Sequence, residues 1–353
     1  MKRICFVSLG NIYLSPYLNQ YTRIINDNYD IIYWDRENLN EIIPGNNINI
    51  YRFQKSFSNK ASKIKNYLLF KRYIKTILKK QNYDCIVFLQ TLGAILTGSF
   101  LAKKYNRRYV IDIRDYSYEG NKYIYSIEKK LIRHSRFCVI SSEGYKKFLP
   151  PKDYIIAHNI RELDSRETNR IRKREKNNKT LNIAFIGYVN YHDQHKKLLL
   201  NLKNDNRFIL TFIGTKALEL KQFCIQNKIK NVKFGDRFNP EEILKLYENV
   251  DLVNNLYGNH TPTLDYALSN KLYFAAELNI PILTCCDTFM SEISHKYDFG
   301  IDVDVNNPRC GDLIIDKYNK IDWERLTIGC EKFLDKVRNE QKRFDIKIKE
   351  LNR

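Results

Sequence analysis

The sequence predicts an α/β protein made of two Rossmann-like domains, each a doubly wound parallel sheet, and three observations predict it. Short apolar runs rich in β-branched residues alternate with longer amphipathic segments, the pattern of βα units around a parallel sheet. A charged stretch without an apolar stripe, RELDSRETNRIRKREKNNKT at 161 to 180, interrupts that rhythm and reads as a linker and exposed loop. The rhythm then restarts, and 353 residues suit two domains of ordinary size.

In the first half the expected strands are Ile4 to Leu9, Tyr29 to Trp34, Cys85 to Leu89, Tyr109 to Ile113, Phe137 to Ile140 and Tyr154 to Ala157, with helical patterns between most of them. In the second half they are Leu181 to Ile186, Phe208 to Ile213, Val232 to Phe234 and Leu252 to Asn254, followed by an apolar strand that begins at Pro281. Helices are expected near His195 to Asn204, Lys216 to Asn227, Pro240 to Glu248 and from Thr288. The expected domains are 1–165 and 166–325, with 326–353 a C-terminal helix packing back toward the first domain.

Lys and Arg number 60 against 40 Asp and Glu, a net charge of +20, so the partner is acidic: nucleic acid, anionic lipid or a phosphorylated substrate. No RNP motif, helix-turn-helix signature or finger spacing is present to read bases, which argues against nucleic acid. The eight cysteines are scattered without a CxxC pair, against a zinc site or a disulfide framework, and point to a reducing cytoplasm. The opening MKRICFVSLG reads as a first strand, and no apolar run of about 18 residues exists to cross a bilayer. From Arg52 to Lys80 there are many basic residues and no acid, while Tyr67, Phe70, Tyr73, Ile74, Ile77 and Leu78 recur at helical spacing. A basic amphipathic helix of this kind suits an anionic membrane surface.

Ligands of open α/β sheets bind beyond the carboxyl ends of the strands. Three loops there each end a strand with a glycine: FIGYVN at 185 to 190, FIGTKA at 212 to 217 and FGDRFNPEE at 234 to 242. In ALSNKLYFAAELNIPILT, residues 267 to 284, a lysine stands in the first turn of a helix, where the dipole disfavours a cation. An anion shared by Lys271 and the free amides of that turn resolves the conflict, with Ser269 or Asn270 as the cap. A diphosphate is such an anion. In the first domain, Asp115 with Arg114 in VIDIRDY, and Gly10 with Asn11 after the first strand, are the candidate reactive and acceptor-facing groups.

The run from Gly235 through Leu246, Tyr247 and Asp251 to Asn270-Lys271-Leu272-Tyr273 and Pro281 resembles the nucleotide-sugar-binding half of bacterial GT-B glycosyltransferases, especially the family 4-like enzymes of capsule and O-antigen assembly. VIDIRDY, the segment EKKLIRHSRFCVISSEGYKKFL at 128 to 149, and IIAHNI at 155 to 160 resemble the first half of the same enzymes. The resemblance implies a GT-B architecture with the two domains facing across a cleft. It also implies a sugar transferred from a nucleotide-sugar donor to a lipid-linked glycan, without metal and without a cofactor, by a protein held peripherally on the cytoplasmic face of the cell membrane.

Carried over residue by residue, the implied donor site comprises Gly187, Tyr188, Lys197, Gly214, Thr215, Arg237, Phe238, Tyr257, Asn270, Lys271, Leu272 and Tyr273. Lys197 is chosen over Lys196, between which periodicity does not decide. Asp115 is base or acceptor-orienting group, Arg114 and His158 stand near it, and Gly10 and Asn11 bind the acceptor. DVDVNN at 302 to 307 reads as a solvated turn rather than a metal-holding DxD. Two departures stand out: Phe274 replaces the family's ribose-binding glutamate, and Asn279 replaces a glycine. A nucleotide-sugar epimerase of the same fold, and a non-catalytic partner with a degenerate donor site, are the competing readings.

Overall fold

The computed structural model describes residues 3–25, 29–43, 45, 48–161, 163–173 and 180–352. The chain divides into two units, Met1–Asn159 with Asn339–Arg353, and Ile160–Arg338.

The first unit is a seven-stranded parallel sheet of β1 (Ile4–Ser8), β2 (Tyr29–Asp35), β3 (Ile50–Gln54), β4 (Cys85–Phe88), β5 (Tyr109–Ile113), β6 (Phe137–Ile140) and β7 (Tyr154–Ile156), in the order β3-β2-β1-β4-β5-β6-β7. Every residue of β1, β2, β4 and β5 is buried, as a parallel sheet covered on both faces requires. One face packs on Phe344, Ile348 and Leu351 of the C-terminal segment, with Tyr21 edge-on to Phe344 at 5.1 Å. Toward the other edge Trp34 is ringed by Phe53, Tyr67 and Phe70 at 5.2 to 5.6 Å.

The basic segment forms helix Lys60–Gln81, started by a reciprocal cap between Asn59 and Ser62 and stopped at Asn82 in the left-handed region. It buries Phe70, Ile74, Ile77 and Leu78. One turn apart on its outer side, Ile64 and Leu68 stay 63% and 54% exposed. Strand β3 was not expected from the sequence, because its last three residues open the basic run. The pleat resolves this: Arg52 lies along the sheet and donates from Nε to the Tyr33 hydroxyl at 3.0 Å.

The second unit is a six-stranded parallel sheet of β8 (Leu181–Ile186), β9 (Phe208–Ile213), β10 (Val232–Gly235), β11 (Leu252–Asn255), β12 (Ile282–Thr284) and β13 (Gly300–Asp302), ordered β10-β9-β8-β11-β12-β13. Its two faces carry separate apolar cores, one against helices Asn270–Leu278 and Trp323–Asn352, the other against helix His192–Asn201. Strand β13 ends on Asp302, the first residue of the stretch read as a solvated turn. Asp302 is held there by the Thr284 and Ser291 hydroxyls at 2.8 and 2.7 Å.

The expectation of a linker and exposed loop at 161 to 180 is corrected in part. Within 161 to 180, Asp164 caps helix Ser165–Arg172, which buries Thr168 and Ile171 on one face; residues 162 and 174–179 of that stretch lie outside the described residues. The C-terminal stretch, expected to be helical, is a single 30-residue helix, Trp323–Asn352. Among the described residues no helix is long and apolar enough to cross a membrane.

Candidate functional site

In the second sheet the strand order reverses between β8 and β11, and the crevice beyond such a switch point is where open α/β sheets take ligands. Gly187 leaves β8 with φ 129°, and Gly214 leaves β9 with φ 125°. A side chain at 214 is doubly barred, since its Cβ would lie 2.0 Å from the Gly187 carbonyl oxygen. The chain thus turns sharply over the strand ends and leaves space above Phe185.

Lys271 fills that space. Its ammonium lies 3.9 Å from the Phe185 ring centroid and donates to the Tyr257 hydroxyl at 2.9 Å. The residue is 5% exposed and forms no ion pair among the described residues. A desolvated ammonium over an aromatic face gains about 2 kcal/mol, which holds the cation in place without neutralising it. The helix that carries it, Asn270–Leu278, is capped by Ser269, whose Oγ accepts the Lys271 amide at 3.1 Å. That amide is therefore spent on the cap. The crevice offers an incoming anion the ammonium and the positive helix end rather than the full set of free amides expected.

Beneath Phe185 lies His195, fully buried, with ring centroids 4.7 Å from Phe185 and 5.2 Å from Phe212. Neither ring nitrogen makes a well-formed hydrogen bond among the described residues. Burial first, then the charges of Lys271 and His192, push its pKa down to about 3, so the imidazole is neutral.

The remaining expected donor residues separate into groups. Tyr188 is 54% exposed beside Lys216, Thr215 gives its carbonyl to the Val189 amide at 2.9 Å, and Arg237 is exposed. Phe238 packs half-buried on the core. Leu272 and Tyr273 are corrected: both lie in the hydrophobic core, Tyr273 stacked on Phe333 at 5.9 Å, because the residues following Lys271 turn inward on their helix. Lys197 is also not brought to Lys271; it is exposed and donates to Asn306 Oδ1 at 2.7 Å. Phe274 stacks on Tyr247 at 5.3 Å, 8% exposed, so the place of the family's carboxylate is apolar core.

Phe185 and His195 were missed in the sequence. His195 was nonetheless legible, for 195, 198 and 199 are the inward positions of helix His192–Asn201, which puts Lys196 and Lys197 outside.

In the first unit Arg114 grips Asp112 with two bonds, 2.6 and 2.9 Å, donates to the Ala157 carbonyl, and lies 4.3 Å from the Tyr17 ring centroid. Burial pushes the Asp112 carboxyl up, and Arg114 pulls against it. Asp115 reaches solvent, yet the crowding of its neighbours raises its pKa, opposed by Arg114. His158 is buried with Nε2 2.7 Å from Glu340 Oε2, and its own amide donates to Gln341. That pairing ties it to the C-terminal segment. Gly10 is half-buried at the end of the first strand. Asn11 is corrected as an acceptor contact: it is fully buried and its amide bonds Asp35 and Glu41 at 2.7 and 3.1 Å.

Residues 3–159 match the family model described as glycosyl transferase 4-like. No curated protein matches the sequence. Solved structures that share the fold include sucrose-phosphate synthase of Thermosynechococcus elongatus, at 10% identity and TM-score 0.71 over 99% of this chain and 98% of that one. HepE of Anabaena, solved in complex with UDP, matches at 14% identity and TM-score 0.64, again over 99% and 98%. WaaB, a lipopolysaccharide outer core galactosyltransferase, matches at 14% and 0.66 over 98% and 99%. Residues 3–159 thus match a glycosyl transferase 4-like domain, and the chain as a whole shares the two-domain GT-B fold of these structures.

Proposed function

We propose that this chain transfers a sugar from a nucleotide-diphosphate donor to a lipid-linked saccharide, at the cytoplasmic face of the cell membrane, in the assembly of a surface polysaccharide. The observation that carries the reading is Lys271: a buried ammonium with no carboxylate partner among the described residues, at a helix N-terminus, at the switch point of the second sheet. A leaving diphosphate needs its developing charge stabilised, and a preorganised cation in a water-poor crevice does this without a metal. HepE, of the same fold, is recorded with UDP and with UDP-glucose, which supports a donor of that class here. Asp115, its carboxyl raised, is the group proposed to orient or deprotonate the acceptor hydroxyl. Arg114 and His158 position the strand ends around it.

Thermal shift with UDP, GDP, CMP and dTDP forms is the test. One nucleotide diphosphate should raise the melting temperature, and Lys271→Met should weaken that response about a hundredfold in concentration while leaving the unliganded protein folded. An unchanged response in Lys271→Met would reject the site.

The core position of Phe274 favours a second reading, a non-catalytic partner that does not hold the donor ribose. Donor hydrolysis or transfer by the purified chain eliminates it. A product formed without any acceptor would point instead to an epimerase.

Membrane attachment is proposed through helix Lys60–Gln81. Ile64 and Leu68 stand exposed among Lys60, Lys63, Lys65 and Arg72, so two apolar side chains can enter the interface while lysines meet headgroups, each worth about 1 kcal/mol. Vesicles with anionic lipid should retain the protein at low salt and release it at high salt. Equal retention by neutral vesicles rejects the electrostatic part.

A further inference from the structure

On the second unit a groove of about 470 Å³ opens between helix Ser165–Arg172, the C-terminal end of helix Asn270–Leu278 and the middle of the long C-terminal helix. Every lining residue belongs to that unit. The groove is distinct from the Lys271 crevice. Glu277, which lines it, follows Lys271 by six residues, about 9 Å along the helix axis and about 240° around it.

Two chemistries meet in this groove. Its floor is apolar, made by Ile160, Leu163, Leu334 and Val337, the last two 2% and 1% exposed. Among the described residues its lining carries three guanidiniums, Arg161, Arg172 and Arg338, against the carboxylate of Glu277. That carboxylate is shared at long range, 3.5 Å from Arg172 and 3.6 Å from Arg338, neither of them the short two-pronged contact that an arginine fork makes with a fitted anion. Arg172 is already oriented, since its Nε donates to the Glu277 carbonyl at 2.6 Å. Arg338 also meets Asp335 at 3.2 Å, a pair on the open surface one helical turn away.

We infer that this groove binds a phosphate monoester carried on an apolar body. Among the described residues of the groove the guanidiniums outnumber the carboxylates, three to one in the lining and three to two with Asp335 counted, an excess that a phosphate monoester of charge about −2 answers. Planar, weakly hydrated guanidiniums suit phosphate oxygens in pairs. The apolar floor takes the body of the ligand, and the volume lies within the range of small-molecule sites, about 300 to 1,000 Å³. The source of such a molecule is either a membrane lipid phosphate or a soluble organic phosphate, and both present the same head and tail.

Calorimetry on the full chain tests the inference with n-octyl phosphate held below its micelle concentration. Neutral n-octyl glucoside and inorganic phosphate supply the tail and the head alone. Saturable one-to-one binding of octyl phosphate is expected, with much weaker binding of the other two. The double variant Arg172→Gln/Arg338→Gln should lose roughly tenfold or more in affinity. Because Arg172 also holds a helix end, Asn169→Glu is the second variant: it sets a carboxylate on the exposed groove face of helix Ser165–Arg172, touches no core residue, and should lose a similar factor.

Binding of octyl glucoside as tight as that of octyl phosphate overturns the inference, as does equal binding by inorganic phosphate, or affinity unchanged in both variants. Addition of UDP separates this site from the donor site. Undiminished octyl phosphate binding supports the groove, whereas displacement by UDP assigns the signal to the Lys271 crevice and overturns it. The same octyl phosphate tests added to vesicles of matching lipid phosphate distinguish the sources: groove variants that lose vesicle binding favour a lipid, and variants that lose only the soluble ligand favour a free organic phosphate.

Discussion

The two sheets reverse strand order in the same way, and the two switch points are finished differently. Between β1 and β4 the first unit closes its crevice with its own side chains. Gln90 accepts the Leu9 amide at 2.9 Å and donates to Ser15 at 2.9 Å, while Glu41 takes the Ile12 and Tyr13 amides at 2.8 and 2.7 Å. Between β8 and β11 the second unit leaves a buried cation over an aromatic ring, with the Tyr257 hydroxyl as its one hydrogen-bond partner among the described residues. The lesson is that a shared topology supplies the place for a ligand but not the demand for one. The demand lies in whether the polar groups at that place are already satisfied.

The contrast extends to buried titratable groups, and there it can be broken or sharpened by measurement. Glu128, in the first unit, is 1% exposed with Oε1 unbonded; desolvation, then the neighbouring Glu119, raise it from 4.5 to about 8. The folded chain therefore keeps a proton that the unfolded chain releases, so stability is full below pH 4.5 and declines as pH rises toward 8. At pH 7 the loss is about 3 kcal/mol. Glu128→Gln should recover that amount, most at pH 8 and least at pH 4.5, in denaturant titrations followed across pH. A gain independent of pH would mean that burial of a charge is not what the glutamate costs.

His195 works in the opposite direction in the second unit. Its pKa falls from 6.5 to about 3, so the unfolded chain binds a proton the folded one refuses, and stability declines as pH falls through that window. The expected loss at pH 5 is about 2 kcal/mol. His195→Phe, which keeps a ring between Phe185 and Phe212, should flatten the acid limb alone. If both variants altered the same limb, the assignment of one acid-sensitive and one alkali-sensitive unit would fail.

Much of this architecture was legible because buried parallel strands write themselves as apolar runs. The strands of the second sheet from β8 to β12 sit within a residue or two of the expected positions. What escaped did so for physical reasons. Strand β3 half-exposes its residues and so carries no apolar run, and β13 is three residues long and ends on an aspartate paired to hydroxyls. Helix Ser165–Arg172 buries only two side chains, too few to show a period. At the site, Lys271 was found from the conflict between its charge and its position, but the ring that holds its ammonium in place, Phe185, comes from a strand 86 positions earlier and no local pattern points to it. Lys197 was placed by resemblance where helical phase, with His195, Leu198 and Leu199 inward, already turned it away.

Lys197 supplies the smallest expected effect and the sharpest check on the comparison. Its ammonium is exposed and bonded to Asn306 at 2.7 Å, a surface contact whose loss costs under about 0.5 kcal/mol. If the donor charge is met by Lys271 alone among these lysines, Lys197→Ala should leave both the melting temperature and the nucleotide response within error of the parent, while Lys271→Met removes the response. A loss in Lys197→Ala comparable to that in Lys271→Met requires helix His192–Asn201 to turn about its axis when a nucleotide binds, since in the present packing inward positions 195, 198 and 199 hold residue 197 outside. Such a turn would expose His195 to solvent, so its acid limb should move toward pH 6.5 in the liganded protein, and an unchanged limb would exclude the rotation and leave the crevice as it stands.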